Sequence, residues 1–278
     1  MHADRRTFLA QAAVLTLTLT TAAHTGVKAT PPPTPPLSQP AKKTAMTPRI
    51  LMIVTSHTHM GDTGKPTGVW AEELATPYYA FVDAGVEVDL ASPAGGRVPL
   101  DPASVKTRGE NDAVVERLLA DSALQNRMAS SRKVSELDSA AYDAIFFPGG
   151  HGTMWDLPVD VGVQRAVETA YAKNKVIASV CHGAAGLITA LRPDGKSILL
   201  GRRVNSFTNA EESAVELTQV VPFPLETRLR ELGGLFEGAP NWQAYAVRDG
   251  QLITGQNPQS SALVAQHVLQ ALGLVVAP

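Results

Sequence analysis

The chain has 278 residues, of which 44% are hydrophobic and 18% charged, an ordinary composition for a protein that buries a substantial core. Its 24 basic and 26 acidic residues leave a net charge of −2, and no cluster of lysines and arginines in the main body could follow a phosphate backbone. The composition therefore argues against nucleic acid as a partner.

The first 29 residues have the pattern of an export signal. Arg5 and Arg6 precede Phe8, and an uncharged, weakly apolar run follows over residues 10–23. A signal peptide has a charged segment, then an apolar run, then small residues at the cleavage site, and the first 29 residues follow this order. The arginine pair is typical of the twin-arginine route. A bilayer-spanning helix needs roughly 20 residues, more than this run contains. The sequence predicts a twin-arginine signal over residues 1–29, a periplasmic protein, and no stable membrane insertion after cleavage.

A proline-rich segment follows over residues 30–48, with six prolines among residues 31–40. Such a composition favours extended polyproline conformation and opposes a packed core. We expect this segment to be a disordered linker that leads into a single domain over residues 49–278.

Apolar runs and helical patterns alternate through the first part of that domain. A buried strand is predicted at residues 49–55, a helix at 70–84 and a second strand at 86–91. Pro77 is expected to kink or divide the helix. The polar stretch 93–138, with a helix around 112–128, is expected to be a small inserted cap.

The alternation continues to the C-terminus and defines the fold class. Further strands are predicted at 144–147, 176–180, 244–247 and 251–254, and further helices at 161–173, 184–191 and 260–272. Strands that alternate with helices form mostly parallel sheets with helices on both faces. We therefore expect a three-layer α/β/α sandwich, flavodoxin-like, around a mostly parallel central sheet.

The turn after the strand at 176–180 carries the sole cysteine of the chain. Cys181 is followed by His182 and Gly183, the pattern of a nucleophile elbow with Cys in place of Ser. A helix start and a neighbouring histidine favour a thiolate, so we expect the pKa of Cys181 to be lowered. The alternative is that Cys181 is simply a small buried residue. Because it is alone, it can form neither an internal disulfide nor a Cys-x-x-Cys redox pair.

Two other loops carry side chains of interest. His57 and His59 follow the first strand and could hold a metal with a carboxylate, but no third ligand has suitable spacing. His151 lies in a glycine-rich loop after the strand at 144–147 and is a candidate substrate contact, as is Trp70. Trp70, Trp155 and Trp242 could line a pocket mouth, although large aromatic residues more often fill core or cap contacts. We expect neither metal nor organic cofactor.

Four motifs closely resemble the PfpI-type superfamily, which includes Parkinson disease protein 7, and are nearest to its heat-shock-chaperone and glyoxalase III branch. The resemblance covers residues 49–273 and implies a class I glutamine amidotransferase-like fold. The motifs are Lys65-Pro66-Thr67-Gly68-Val69-Trp70-Ala71-Glu72-Glu73, Phe147-Pro148-Gly149-Gly150-His151-Gly152-Thr153, Val180-Cys181-His182-Gly183 and Ser206-Phe207-Thr208-Asn209-Ala210-Glu211-Glu212.

The resemblance also implies roles for individual residues. Cys181 would be the nucleophile and His182 its basic partner, and Glu212 would orient that histidine, with Glu211 as the alternative. Glu73 would hydrogen-bond the thiol and move protons. Glu72 is the other possibility, but consecutive helical residues point about 100° apart, so only one of the two can face the sulfur.

The backbone N–H groups of Gly150 and His182 are the oxyanion donors that the resemblance implies. The activity it implies is that of a glutathione-independent glyoxalase, which converts methylglyoxal and water to lactate and so takes a small reactive carbonyl substrate. The rivals are a cysteine peptidase or amidase and a periplasmic holdase chaperone in which Cys181 senses oxidation. A homodimer is expected.

Overall fold

The structure, a computed structural model, describes residues 18–19 and 47–274. The predicted signal and most of the predicted linker lie outside the described residues, and Thr18 and Leu19 have no regular secondary structure. Every helix and strand of the described residues belongs to the compact unit Ala45–Pro278. None of the helices in the described part of the chain combines the length and the hydropathy needed to span a bilayer.

A seven-stranded sheet runs through the centre of this unit. Its strands are β1 (Arg49–Ile53), β2 (Glu87–Ser92), β3 (Arg132–Lys133), β4 (Ala144–Phe147), β5 (Val176–Val180), β8 (Ala246–Asp249) and β9 (Leu252–Gly255). The spatial order is β3-β2-β1-β4-β5-β9-β8, and all neighbours are parallel except the antiparallel pair β8 and β9. A separate parallel pair consists of β6 (Arg203–Val204) and β7 (Leu235–Phe236). The prediction of a mostly parallel sheet is confirmed.

Helices cover both faces of the sheet, which explains why the central strands are apolar on both sides. One face packs against α1 (Ala71–Asp83), α2 (Ala113–Ala120), α3 (Ser122–Ala129) and α8 (Ser261–Ala271). The other packs against α4 (Thr153–Asp156), α5 (Val161–Ala172) and α7 (Leu225–Glu231). A short helix, α6, spans Asn209–Ala214. Single turns of 3₁₀ helix lie at Gly61–Thr63, Pro102–Ser104, Val134–Glu136, Ser139–Ala141, Leu157–Val159 and Pro258–Ser260.

The first two of the predicted helices differ in detail from the observed ones. Pro77 lies inside α1 without dividing it, because packing of the buried face holds the helix together across the missing backbone donor. The single helix predicted around residues 112–128 is two helices. Asp121 separates them, since its carboxylate accepts hydrogen bonds from the backbone N–H groups of Ala123 and Leu124, both at 3.0 Å, and so caps α3.

The α-helix predicted at residues 184–191 is wrong, because a 3₁₀ helix spans Cys181–Leu187 instead. Gly183 lies against the backbone carbonyl of Phe147, and Gly186 lies against the ring of the same phenylalanine. Any side chain at position 183 would collide with that carbonyl. The close approach to β4 therefore favours a tight turn over a regular helix.

The order of the strands fixes where a site can form. The strand that follows β1 in the chain, β2, lies on one side of β1 in the sheet. The later strands β4 and β5 lie on its other side, so the strand order reverses at β1. Ligands of open α/β sheets bind at the carboxyl ends of the strands at such a switch point. The loops that follow β1, β4 and β5 all begin at this edge. The inserted cap over residues 93–138 stays a prediction; its α2 packs on α1, and its β3 pairs with β2.

Candidate active site

Cys181 follows β5 directly and lies in a strained backbone conformation. Its φ angle is +57°, in the left-handed region that residues other than glycine rarely adopt, and its side chain is buried. Strain of this kind persists where the surrounding structure imposes it, and it marks the nucleophile elbow of α/β enzymes. The turn thus holds the sulfur at the carboxyl edge of the sheet.

His182 connects Cys181 to Glu212. Its Nδ1 lies 3.3 Å from Cys181 Sγ, and its Nε2 lies 2.8 Å from Glu212 Oε2. Because a carboxylate only accepts hydrogen bonds, the network assigns the imidazole proton to Nε2 and leaves the lone pair of Nδ1 facing the sulfur. His151 donates from Nε2 to the other oxygen of Glu212 at 3.0 Å. Glu211, the alternative, directs its hydrogen bonds at Thr208, Trp242, Gln256 and Asn257 instead.

The charges of this group follow from its burial and its hydrogen bonds. Burial opposes the charge on Glu212, but His182 and the hydrogen bond from His151 outweigh it and lower the pKa of Glu212 to about 2. Burial and the nearby His151 lower the pKa of His182. At neutral pH the site therefore holds a carboxylate and an uncharged imidazole.

Glu73, in the first turn of α1, approaches the thiol from another side. Its side chain is fully buried and close enough to Cys181 to affect the pKa of the thiol, and its Oε2 accepts a hydrogen bond of 2.8 Å from the backbone N–H of Gly149. Burial raises the pKa of Glu73 to about 8, so the carboxyl group is protonated at neutral pH. Its Oε1 has no partner among the described residues. Glu72 is only half-buried.

The expected lowering of the Cys181 pKa is wrong. Burial raises the pKa of the thiol, and the negative charge that Glu73 carries when ionised raises it further. The sulfur lies among core residues, and the turn behind it is a short 3₁₀ helix, which supplies little of the stabilisation that an α-helix start gives a thiolate. The resting group is a thiol with a base beside it.

Two backbone N–H groups were predicted to bind an oxyanion. That of His182 lies near Cys181 Sγ and favours negative charge on the sulfur. Gly150 has a φ of +99°, and a side chain there would collide with the backbone of Gly68 and Trp70. No described residue accepts a hydrogen bond from the Gly150 N–H.

The structure adds two residues to which the sequence assigned no role. Gly149 supplies the N–H that holds Glu73, and the ring of Phe207 lies 4.5 Å from that of His182, centroid to centroid. Both occur within the recognised motifs, beside Gly150 and shortly before Glu212. Their place in those motifs was the available signal.

Other predicted residues lie apart from this group. Trp70 precedes α1 and lines a cavity of about 170 Å³ with Glu72 and Asp112. The ring of His57 stacks on Trp155, and its Nε2 lies 2.7 Å from the backbone oxygen of His59. Among the described residues, no carboxylate lies close enough to His57 and His59 to complete the metal site considered above.

A different set of side chains has the composition of a metal site. Potential ligand atoms of His151, His182 and Glu212 lie within 4.8 Å of one another. Two imidazoles and a carboxylate suit zinc or iron. Both histidines already direct Nε2 at the carboxylate, so a metal there would displace the protons of this network.

Comparison with known proteins identifies the class of this fold and site. Residues 66–271 match the sequence profile of the DJ-1/PfpI family. The chain belongs to the DJ-1/PfpI family.

The similar proteins include enzymes with assigned names. Glyoxalase 3 of Candida albicans is 30% identical over 233 residues, which is 80% of this chain and 98% of that protein. The crystal structure of glyoxalase III from the same yeast, 29% identical, superposes with a TM-score of 0.75 over 81% of this chain and 97% of its own. The structure of the 24 kDa rapid encystment protein of Francisella tularensis is 42% identical in sequence. It superposes with a TM-score of 0.78 over 81% of this chain and 99% of its own.

The prediction of export is wrong. Curated relatives from three yeasts are glutathione-independent glyoxalases, which are cytosolic enzymes, and no finding supports a signal or a twin-arginine route. The prediction rested only on an arginine pair and a short apolar run. Such a pattern can occur near the start of a chain whatever its fold or location. The periplasmic setting expected for a chaperone is withdrawn with it.

Proposed function

We propose that the protein is a glutathione-independent glyoxalase that converts methylglyoxal and water to lactate. One observation carries the proposal: the Cys181 thiol lies between an uncharged imidazole, His182, and a protonated carboxylic acid, Glu73. An adduct between a thiol and an aldehyde needs a base on one side and an acid on the other. The names of the relatives support the same activity.

In the first step Cys181 Sγ attacks the aldehyde carbon, C1. Nδ1 of His182 takes the thiol proton, and ionised Glu212 stabilises the resulting imidazolium. The carbonyl electron pair moves onto the aldehyde oxygen, near the backbone N–H groups of Gly150 and His182. Glu73 protonates that oxygen, which completes a hemithioacetal and leaves Glu73 ionised.

In the second step the hydrogen on C1 moves to C2. Ionised Glu73 removes the proton from C1 while the imidazolium of His182 protonates the ketone oxygen, which gives an enediol. Glu73 then returns its proton to C2 and accepts the one on the C1 oxygen, so that C1 becomes a thioester carbonyl. The fragment is now a lactoyl group on Cys181, and Glu73 and His182 have regained their resting protonation.

In the last step water cleaves the thioester. His182 takes one proton from the attacking water, and the C1–S bond breaks to release lactic acid. The sulfur leaves as a thiolate and regains its proton from the imidazolium. No external oxidant or reductant is needed, because the reduction at C2 balances the oxidation at C1.

The test is to incubate the full chain with methylglyoxal in the absence of glutathione, with and without a chelator. We expect equimolar lactate and a rate that the chelator leaves unchanged. A rate lost on chelation and restored by a divalent ion would assign a metal to His151, His182 and Glu212. Cleavage of a fluorogenic peptide without lactate formation would favour the rival hydrolase. The deep burial of the thiol argues against polypeptide substrates.

The pH dependence follows from the two neighbours of the thiol. Glu73 must be protonated to donate its proton, so kcat/KM should fall as pH rises through about 8. His182 must be uncharged to accept a proton, so the acid limb should lie below the 6.5 of an ordinary imidazole. The measurement is kcat/KM for methylglyoxal between pH 4 and 10. A profile that still rises above pH 9 would contradict the acid role of Glu73.

Glu212→Gln should lower kcat by roughly 10²-fold, the lower end of the effect of one group in proton transfer. Glutamine retains an oxygen for His182 Nε2 but lacks the negative charge that stabilises the imidazolium. Glu231→Gln, at an exposed position at the end of α7 and outside the site, is the control. Equal rates for both variants, measured with methylglyoxal at pH 7, would remove Glu212 from the mechanism.

A further inference from the structure

The loop between β7 and β8, residues 237–245, carries Trp242 at the exposed end of a series of aromatic rings. The ring of Phe207 lies 4.5 Å from His182, and the indole of Trp242 lies 5.8 Å from Phe207, both measured between ring centroids. Phe207 is only 5% exposed, whereas Trp242 is 43% exposed. The series therefore leads from the buried base of the site to the surface.

Trp242 is held in a backbone conformation that a bulky side chain does not adopt unaided. Its φ angle is +65°, which is an outlier for such a residue. Strained residues of this kind cluster at ligand-binding positions, where surrounding contacts impose them. The contacts that hold this loop should therefore be identifiable.

Three buried side chains hold the loop, and we call them the Glu211 cluster: Glu211, Gln256 and Asn257. Glu211 Oε1 accepts a hydrogen bond of 3.0 Å from the backbone N–H of Trp242. Gln256 bonds both the N–H and the C=O of Ala239, at 2.8 and 3.2 Å. Asn257 donates to the backbone oxygen of Gln243 at 2.9 Å. The loop is thus tied on both sides of Trp242.

Glu211 itself is fully buried, and uncharged groups donate all the hydrogen bonds that its two side-chain oxygens accept. Its Oε1 also accepts from Gln256 and Asn257, at 3.0 and 2.8 Å, and its Oε2 accepts from the backbone and hydroxyl of Thr208, both at 3.0 Å. No lysine or arginine in the described ranges forms an ion pair with it. A buried polar side chain is costly unless it is hydrogen-bonded, and its use here is to join the Trp242 loop to α6, the helix that carries Glu212.

We propose that Trp242 is a specificity-determining residue, an aromatic wall at the substrate entrance, and that Glu211 is the residue that positions it. The inference rests on the proposed glyoxalase function and names its substrate class: 2-oxoaldehydes with an apolar or aromatic substituent. With the aldehyde carbon at Cys181, the substituent on C2 extends away from the sulfur. Beside the surface formed by Phe207 and Trp242, an aromatic substituent gains offset stacking that a bare hydrogen does not.

The experiment compares kcat/KM for phenylglyoxal with kcat/KM for glyoxal, which has no substituent. In Trp242→Ala the ratio of the two should fall about tenfold, the change that the loss of one aromatic pair produces. Trp242→Phe keeps a ring and should keep the ratio within about twofold of the unmodified protein. The control is Leu235→Ala, which removes an exposed apolar side chain, 56% exposed, from the β7 strand that precedes the loop.

Glu211→Gln tests the positioning role with the indole still present. A glutamine directs an N–H group at donors that need an acceptor, so the loop should loosen and the ratio should fall as in Trp242→Ala. The emission of Trp242, isolated by subtracting the spectrum of the matching Trp242→Phe variant, should shift to the red as the ring becomes more solvated. An unchanged ratio together with an unchanged emission would overturn the positioning role.

The outcomes separate this inference from the proposed function. If the unmodified protein turns over none of these aldehydes, the proposed function fails and the inference fails with it. If it is active and Trp242→Ala leaves the ratio unchanged, only the inference is overturned. If circular dichroism shows that Trp242→Ala is unfolded, Trp242→Gly is the second variant, because glycine adopts a φ of +65° without strain. The ratio of kcat/KM for phenylglyoxal to that for glyoxal then tests the inference in the same way.

Discussion

Replacing Cys181 by alanine is expected to lower kcat/KM for methylglyoxal by at least about 10⁴-fold, the scale on which enzymes lose rate when a nucleophile is removed. The chain has no second cysteine, and the Cys181 thiol is the nucleophilic group placed beside His182 and Glu73. Without the sulfur no hemithioacetal forms, so the two proton-transfer groups have no bound carbon on which to act.

The measurement is lactate formation, together with the intact mass of the protein quenched during turnover. The unmodified protein should carry a transient lactoyl group, and Cys181→Ala should carry none. Ser179→Ala is the matched control, since it removes a buried hydroxyl that has no partner among the described residues, two positions earlier on β5. Activity retained by the alanine variant at position 181 would contradict covalent catalysis by this residue.

Replacing Glu73 by glutamine should lower kcat by about 10²–10⁴-fold, the contribution of one positioned acid or base. A glutamine amide keeps an oxygen for the Gly149 N–H but has no proton to exchange with C1, C2 or the alkoxide. The pH at which Cys181 is half alkylated should fall in this variant, because the ionised carboxylate that raises the thiol pKa is gone. An alkylation midpoint that rises instead would contradict the assigned interaction.

The same substitution should make the protein more stable at neutral pH. The pKa of Glu73 is about 8 when folded and about 4.5 when unfolded, so the unfolded state releases its proton first as pH rises. The folded protein therefore loses stability progressively between pH 4.5 and 8. At pH 7 the difference of 2.5 pH units from 4.5 corresponds to about 3 kcal/mol.

Urea unfolding at pH 4.5 and pH 7 tests this effect on stability. Glu73→Gln should exceed the unmodified protein in free energy of unfolding by about 3 kcal/mol at pH 7 and by little at pH 4.5. Glu136→Gln, at an exposed position, is the control and should show no such dependence. If the two variants behave alike, burial does not raise the pKa of Glu73. A gain in stability with a loss of rate is the pattern of a residue kept for catalysis.

Local sequence was sufficient for the architecture. The strands at 144–147 and 176–180 are uninterrupted apolar runs because both their faces are covered, and a run of that kind is visible without the fold. The same holds for the elbow, where a strand ends in Cys181-His182-Gly183, since a nucleophile and its turn are adjacent in the chain. Short elements such as β6, β7 and α6 escaped prediction because two to six residues carry too little periodicity.

The sequence by itself determined the family, the mostly parallel sheet and the position of the candidate nucleophile, all of which depend on residues close together in the chain. Only the tertiary structure decided that the thiol rests protonated and that Trp242 lies beside Phe207. A pKa depends on how much water and which charges distant segments leave around a group. Trp242 and Phe207 are 35 residues apart, and their contact exists because Glu211 joins the loop of one to the helix that follows the other.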